Sequence, residues 1–321
     1  MSFNWSKQHR PYVILAPMAG YTDSPFRRLI KDVAPEVICM TELISADGMA
    51  YESRKTLEML RFHDTERPHI LQLFGKNIEH FREAVQIAEE LGFDAVDINM
   101  GCPAKKVVNS MHGSALIKTP ELAFQIVETC VKNTKLPVSV KTRLGWEDDS
   151  TLDDFVRGLE AAGAAMIMIH GRTVKQAFTG TSNWEPIYRV KGFLKVPVTG
   201  NGDILSGEDA KRLLGNLDGV MVGRGTFGNP WLMAEVCRAL EVGDLAALQY
   251  KPQDFEVYKE WMLRHLRYSL DYFGSKKGML DMRKTLAAYI RGFSNASEIR
   301  KKLVVAESFE EVQDILSKIT L

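Results

Sequence analysis

The sequence predicts a (β/α)8 barrel followed by a helical domain, and three observations lead there. Eight short β-branched or apolar runs recur between residues 12 and 222, each closing on polar or glycine residues and each followed by a helix-compatible stretch. Such runs suit strands buried on both faces. Eight of them alternating with helices over about 210 residues match a barrel, whereas a doubly wound sheet usually needs fewer strands. After Val222 the strand signal disappears and the chain reads as helices. The 321 residues therefore divide into a barrel over 1–244 and a helical domain over 245–321.

The eight runs fall at 12–16, 37–40, 70–73, 95–98, 138–140, 166–169, 196–198 and 219–222. Helix punctuation separates them. Asn77 can cap a segment carrying Ile78, Phe81, Val85 and Ala88 at helical spacing, stopped by Gly92. Thr119 places a capping hydroxyl before Pro120, and that helix continues through Val131. Ser206 caps another that stops near Gly215. The helices beyond Leu245 are interrupted near 274–278 and 292–296. Their aromatic residues, Tyr258, Trp261, Tyr268, Tyr272, Phe273 and Tyr289, read as core.

An apolar fraction of 45% and a charged fraction of 26% exclude wholesale disorder and a membrane protein. The longest nearly uncharged apolar run, 161–169, is nine residues, far below the roughly 18 to 20 needed to cross a bilayer. The first residues lack an apolar signal core, a twin arginine and a myristoylation glycine, so a cytoplasmic location is expected, with no membrane partner and no obligatory protein partner. Lys plus Arg (41) balance Asp plus Glu (41). Residues 251–321 carry 13 basic against 10 acidic side chains, leaving 28 against 31 in the rest. A solvated helical surface accounts for so modest an asymmetry as well as a nucleic-acid face does. Cys39, Cys102, Cys130 and Cys237 show no paired spacing, read as reduced thiols, and no metal site is assigned.

In a barrel of this kind the chemistry sits at the C-terminal strand ends, and these are unusually polar. They read Pro17-Met18-Ala19, Thr41-Glu42, Gln72, Asn99 through Pro103, Lys141-Thr142-Arg143, His170-Gly171-Arg172, Gly200 through Asp203, and Gly223-Arg224-Gly225. A lone Gln or Asn there is as often a local hydrogen-bonding residue as a ligand contact, so the convergence carries the argument. The glycines after strands seven and eight let backbone N–H groups approach an anion, where barrels commonly bind phosphate. Gly223 to Gly228 also match GxGxxG, but the dinucleotide fingerprint belongs to the first βα turn of its unit, and this one follows seven strands.

Cys102 lies between Gly101 and Pro103 just past a strand end, where a merely packed thiol gains little; Cys39, Cys130 and Cys237 are better core candidates. A free thiol, with a reference pKa of about 8.5, is mostly protonated near neutrality and can act as a general acid. Lys105 and Lys106 can favour thiolate instead, so spacing alone does not separate acid from nucleophile.

The chain resembles the bacterial tRNA-dihydrouridine synthases, nearest their B-type branch, over essentially its whole length. The motifs are Ala16-Pro-Met-Ala-Gly-Tyr-Thr-Asp23, Asp97-Ile-Asn-Met-Gly-Cys-Pro-Ala-Lys-Lys-Val107 with Gly113-Ser-Ala-Leu116, Val140-Lys-Thr-Arg143, Ile169-His-Gly-Arg-Thr173, Gly200-Asn-Gly-Asp-Ile204, and Met282-Arg-Lys284. The resemblance implies an FMN enzyme that reduces the C5=C6 bond of selected tRNA uridines with NADPH (or NADH). Pro17, Met18 and Ala19 would line the flavin ring, and Gln72, Lys141 and His170 would hydrogen-bond it. Asn201, Gly202, Asp203, Gly223 and Arg224 would hold ribityl and phosphate. Asn99, Arg143 and Lys105 would face the substrate. Flavin N5 would deliver hydride to uracil C6 while Cys102 donates a proton to C5. The helical domain would grip RNA through Arg283, Lys284 and Arg291, for which a solvated face is the competing reading. With no separate nicotinamide domain, NADPH and tRNA would use one flavin face in turn. His112 precedes Gly113 where the family more usually has a small residue; loop packing or solvent exposure is its expected role.

Two other functions compete. One is an FMN barrel acting on a free pyrimidine or small enone, with the helical domain as packing or an oligomer interface. The other is a non-redox phosphate-binding barrel or plain RNA-binding module, against which the Cys102 motif argues.

Overall fold

The computed structural model describes residues 3–293 and 295–319, the Lys106 side chain excepted. The strands are β1 (Tyr12–Leu15), β2 (Cys39–Met40), β3 (Ile44–Ser45), β4 (His69–Phe74), β5 (Ala95–Asn99), β6 (Val138–Arg143), β7 (Met166–His170), β8 (Val198–Asn201) and β9 (Gly219–Val222). All pairs are parallel, in the order β1-β9-β8-β7-β6-β5-β4-β2. The ring closes at an Ile14–Ile38 bridge, where Leu15 N donates to the Ile38 carbonyl at 2.9 Å and Ile38 N to that of Val13 at 3.0 Å. The barrel expected from the strand-helix rhythm is present, with β3 as an extra pairing on β4.

One of the expected runs is displaced and another is lengthened. The run at 196–198 becomes Val198–Asn201, because Pro197 has no N–H for the ladder and contributes only its carbonyl, accepting from Ile167 N. The run at 138–140 extends through Arg143 because Lys141, Thr142 and Arg143 lie opposite Met168, Ile169 and His170 of β7. Neighbouring strands, rather than side-chain polarity, set where a ladder ends.

Helices α1 (Ser24–Val33), α2 (Ala46–Ala50), α3 (Arg54–Met59), α4 (Ile78–Glu90), α5 (Lys105–Asn109), α6 (Pro120–Asn133), α7 (Leu152–Ala161), α8 (Glu185–Lys191), α9 (Gly207–Leu214) and α10 (Leu232–Ala239) belong to the barrel region. Asn77 Oδ1 accepts from Glu79 N at 3.0 Å and Ser206 Oγ from Asp209 N at 3.0 Å, so both serve as caps. Thr119 does not: it sits at the cap position, but its buried hydroxyl has no hydrogen-bond partner among the described residues. Tyr12, Ile14, Met40, Ile70, Met166, Met168 and Met221 fill the barrel interior, and Trp5 packs edge-on against Tyr12.

The helical region comprises α11 (Phe255–Phe273), α12 (Ser275–Tyr289), α13 (Ala296–Leu303) and α14 (Phe309–Ser317). Its core is continuous with the barrel's helical layer, through Trp231 against Tyr258, Trp261 and Tyr289. The expected break at 274–278 narrows to Gly274, and Gly278 lies inside α12, where Ser269 Oγ donates to its carbonyl at 3.1 Å. Tyr258, Trp261 and Tyr289 are core as expected, whereas Tyr272 and Phe273 are half-buried at a cleft facing the barrel. Among the described residues no helix is long and apolar enough to cross a membrane.

Candidate active site

The C-terminal strand ends surround a cavity of about 620 Å3, within the usual range for small-molecule sites. Pro17, Met18 and Ala19 reach it from β1, Asn99 and Cys102 from β5, Lys141 and Arg143 from β6. His170 comes from β7, Asn201, Gly202 and Asp203 from β8, Gly223 and Arg224 from β9.

Positive charge dominates this ring. Lys141 Nζ donates to Asn201 Oδ1 at 3.1 Å, and Asn201 Nδ2 to the Met221 carbonyl at 2.8 Å. Burial, then the nearby Arg143, pushes Lys141 down to about 8. Arg143 Nε donates to the Gly101 carbonyl at 2.8 Å, and Nη1 to the Thr173 and Ala177 carbonyls at 3.0 and 2.8 Å. Burial, followed by the surrounding cations, pushes His170 down to about 2, so its imidazole is neutral near pH 7. Its Nδ1 is buried without a partner among the described residues, as is Nη1 of Arg172, whose Nη2 holds Asp203 Oδ2 at 2.8 Å. Gly202 turns the chain here with φ +130°, and a Cβ on it would lie 2.7 Å from that of Ser182.

The Cys102 loop is held by its backbone. Asn99 Oδ1 accepts from Cys102 N at 2.9 Å and Gly101 N at 3.2 Å, and Ser114 N donates to the Cys102 carbonyl at 3.3 Å. Gly113, at φ +60°, permits that approach, since a Cβ on it would lie 3.2 Å from the Cys102 carbonyl oxygen. Cys102 is half-buried, while Cys39, Cys130 and Cys237 are buried. Burial pushes the thiols of Cys39 and Cys237 up to about 11 and about 12.

A second cavity, a cleft of about 800 Å3, lies between the barrel rim and α11 and α12. Ala19, Tyr21, Leu43, Cys102 and Ala104 line both spaces, so Cys102 stands at their junction. Lys284 enters the cleft from α12, donates to the Gly20 carbonyl and lies 4.5 Å from the Tyr21 ring centroid. His112, half-buried, lines the cleft 5.8 Å from the Phe74 ring.

Other residues singled out in the sequence lie elsewhere. Gln72 is wholly buried and does not line either cavity: its Nε2 donates to Asp97 at 2.7 Å and its Oε1 accepts from Asn99 Nδ2 at 2.8 Å. Arg283 turns its guanidinium to the Val305 and Ala306 carbonyls at 3.1–3.3 Å. Lys105 and Arg291 are exposed and outside both linings. The Lys106 side chain lies outside the described residues.

Three features in and behind the cavity walls were not singled out in the sequence. Phe178 is exposed on the rim, its ring 5.6 Å from the Arg143 guanidinium and 5.2 Å from that of Arg224. An isolated aromatic in an otherwise polar loop was its only signal. Tyr21 stacks on Phe227 at 3.8 Å, a contact between distant segments. Asp97 is a buried carboxylate inside an apolar run, a placement that itself demands partners.

A profile of the dihydrouridine synthase family matches residues 14–320. The chain belongs to that family. It is 38% identical over 292 residues to a probable tRNA-dihydrouridine synthase of Rickettsia bellii, covering 90% of this chain and 88% of the relative. It is 33% identical over 317 residues to tRNA-dihydrouridine synthase B of Pasteurella multocida, covering 95% and 94%. Among solved structures, an old yellow enzyme homologue from Zymomonas mobilis is similar in fold at TM-score 0.56 and 14% identity, covering 78% of this chain and 96% of that one. Morphinone reductase is similar at TM-score 0.53 and 14% identity, covering 78% and 90%. As a dihydrouridine synthase the protein is an oxidoreductase.

Proposed function

We propose that the protein reduces the C5=C6 bond of selected uridines in tRNA, with FMN at the barrel mouth and NADPH as reductant. The observation that carries this reading is the position of Cys102, at the junction between a cation-lined cavity and a cleft of about 800 Å3 beneath α11 and α12.

The residues fit a flavin mononucleotide in three ways. Pro17, Met18 and Ala19 offer a wall for the ring. The unpartnered Nδ1 of His170 and the ammonium of Lys141 suit the polar edge of the ring. The backbone at Gly202 and Gly223, with Arg224, suits a phosphate. When bound, the reduced flavin supplies the electron pair and the hydrogen received at uracil C6. Cys102 supplies the proton to C5 and regains one from solvent. Arg143, held against the Gly101, Thr173 and Ala177 carbonyls, keeps a fixed cation beside the substrate. The target base must leave its stack to reach this depth, and Tyr21, Phe178 and Lys284 surround its path. The region over 245–321 acts as the RNA-gripping domain, with Lys284 facing the cleft and Arg291 exposed outside it. NADPH and tRNA would reach the flavin in turn through the one barrel mouth, and a cytoplasmic site of action accords with the substrate.

The test is anaerobic. The purified holoenzyme is reduced with NADPH, and flavin reoxidation is followed by visible absorbance after adding unmodified tRNA, free uridine or orotate separately. Rapid reoxidation by tRNA alone is expected. Reoxidation by a small pyrimidine alone assigns a small-molecule reductase instead, and a protein that copurifies without flavin contradicts both.

A further inference from the structure

We infer that Asp97 is a positioning residue for Cys102: its carboxylate sets the direction of a buried relay, through Gln72 and Asn99, that presents a carbonyl oxygen to the backbone of the Cys102 loop. The inference rests on Cys102 as the proton donor.

The relay is built by strand register. Gln72 of β4 and Ser139 of β6 lie opposite Asp97 of β5 on its two sides, and Asn99 follows two residues on, on the same face of β5. Asp97, Gln72 and Ser139 are fully buried, and Asn99 is 5% exposed. An ionised carboxylate only accepts hydrogen bonds. Asp97 Oδ1 receives Ser139 Oγ at 2.8 Å, and Oδ2 receives Gln72 Nε2 at 2.7 Å. With its nitrogen turned to the carboxylate, Gln72 faces the other way with its oxygen, and Oε1 takes Asn99 Nδ2 at 2.8 Å. Asn99, its nitrogen turned to Gln72, presents Oδ1 on the opposite side, and this receives the N–H groups of Gly101 and Cys102.

Turning either carboxamide over would set donor against donor or acceptor against acceptor, and each buried group left unsatisfied costs about 1–3 kcal/mol. One direction therefore survives. The proton-donating loop is thereby tied to a carboxylate that touches neither cavity. Burial raises Asp97 to about 6, against the hydrogen bonds of Gln72 and Ser139 and the charge of Lys141, so it stays ionised at neutral pH and above.

Asp97→Leu removes the acceptor while keeping the branching at Cγ, and leaves Gln72 free to turn. Asp97→Asn restores it: the new oxygen accepts from Gln72, and the new amide donates to Ser139 Oγ, whose hydroxyl turns to the Val96 carbonyl, 3.3 Å away. The holoenzymes are compared for flavin content, tRNA affinity, reduction by NADPH and single-turnover reoxidation by tRNA. Asp97→Leu is expected to slow reoxidation by about tenfold or more while the other three readings stay within about twofold, and Asp97→Asn to recover most of the rate. Reoxidation of Asp97→Leu at the wild-type rate overturns the inference. Equal slowing in both variants does so too, because charge rather than the acceptor would then be what matters. Should Asp97→Leu not fold, Asp97→Ala removes the same acceptor without added bulk. Retained flavin with slow reoxidation in that variant supports the relay, and reoxidation at the wild-type rate refutes it. A wild-type enzyme that tRNA does not reoxidise overturns the functional reading itself, which separates that failure from failure of the relay.

Discussion

Replacing Cys102 by alanine separates chemistry from architecture, because the loop is held by groups the substitution leaves in place. The Cys102 N–H bond to Asn99, the Ser114 bond to its carbonyl and the close approach of Gly113 involve only backbone and Cβ. Alanine removes one half-buried sulfur, a packing change of less than about 1 kcal/mol by comparison with a methylene. Loss of a positioned general acid is worth about 10²- to 10⁴-fold in rate, or roughly 3–5 kcal/mol of barrier. The expected outcome is an unchanged melting temperature, full flavin content and normal reduction by NADPH, with single-turnover oxidation by tRNA slowed by two to four orders of magnitude. Anaerobic stopped-flow absorbance on both half-reactions reads this directly. Equal loss in both half-reactions, or undiminished oxidation by tRNA, would refute the assignment of Cys102 as proton donor.

Glu66 is buried with Arg27, whose Nε donates to it at 2.7 Å, and it also accepts from Ser24 Oγ and His63 N; Glu66→Ala is expected to cost about 3–5 kcal/mol by stranding the buried guanidinium, and a loss below about 1 kcal/mol in denaturant titration would contradict this. Lys141, lowered to about 8, is charged below that pH and neutral above it, so FMN affinity measured by fluorescence is expected to weaken as pH rises through about 8, with Lys141→Met removing this limb. For folding, the sign is opposite. The unfolded chain binds the Lys141 proton more tightly, so the destabilisation from this group fades as pH rises from about 8 to the ordinary 10.5. Arg283→Ala is expected to lower the melting temperature by releasing the Val305 and Ala306 carbonyls, whereas Arg291→Ala, at an exposed site, is expected to spare stability and reduce the salt slope of tRNA binding by about 0.7–0.9. Filter binding across a salt series, beside thermal melts, distinguishes the two.

Apolar runs that end on polar residues, helix caps at Asn77 and Ser206, and the Gly-Cys-Pro turn are local signals, and the sequence by itself determined the barrel, the rim that carries the chemistry and the singular position of Cys102. Buried Cys39, Cys130 and Cys237 were legible for the same reason: they lie within elements whose inner faces are apolar. Side-chain direction at a strand end was not. Gln72 stands where a ligand contact would, yet the register of β4 on β5 turns its carboxamide to Asp97 and Asn99. Arg283 and Lys284 are adjacent in one motif, yet a helix sends neighbours about 100° apart, so one meets the Val305 and Ala306 carbonyls and the other the Gly20 carbonyl at the cleft. Tyr272 carried the periodicity of a core residue but stands at the cleft, because α3 and the residues after it come close enough for the Glu58 and Arg61 carbonyls to accept its hydroxyl. Composition and spacing record what each segment can do alone. Only the tertiary structure, which joins strands across the barrel and brings α11 and α12 over its rim, decided which polar groups face each other and which face the cavity.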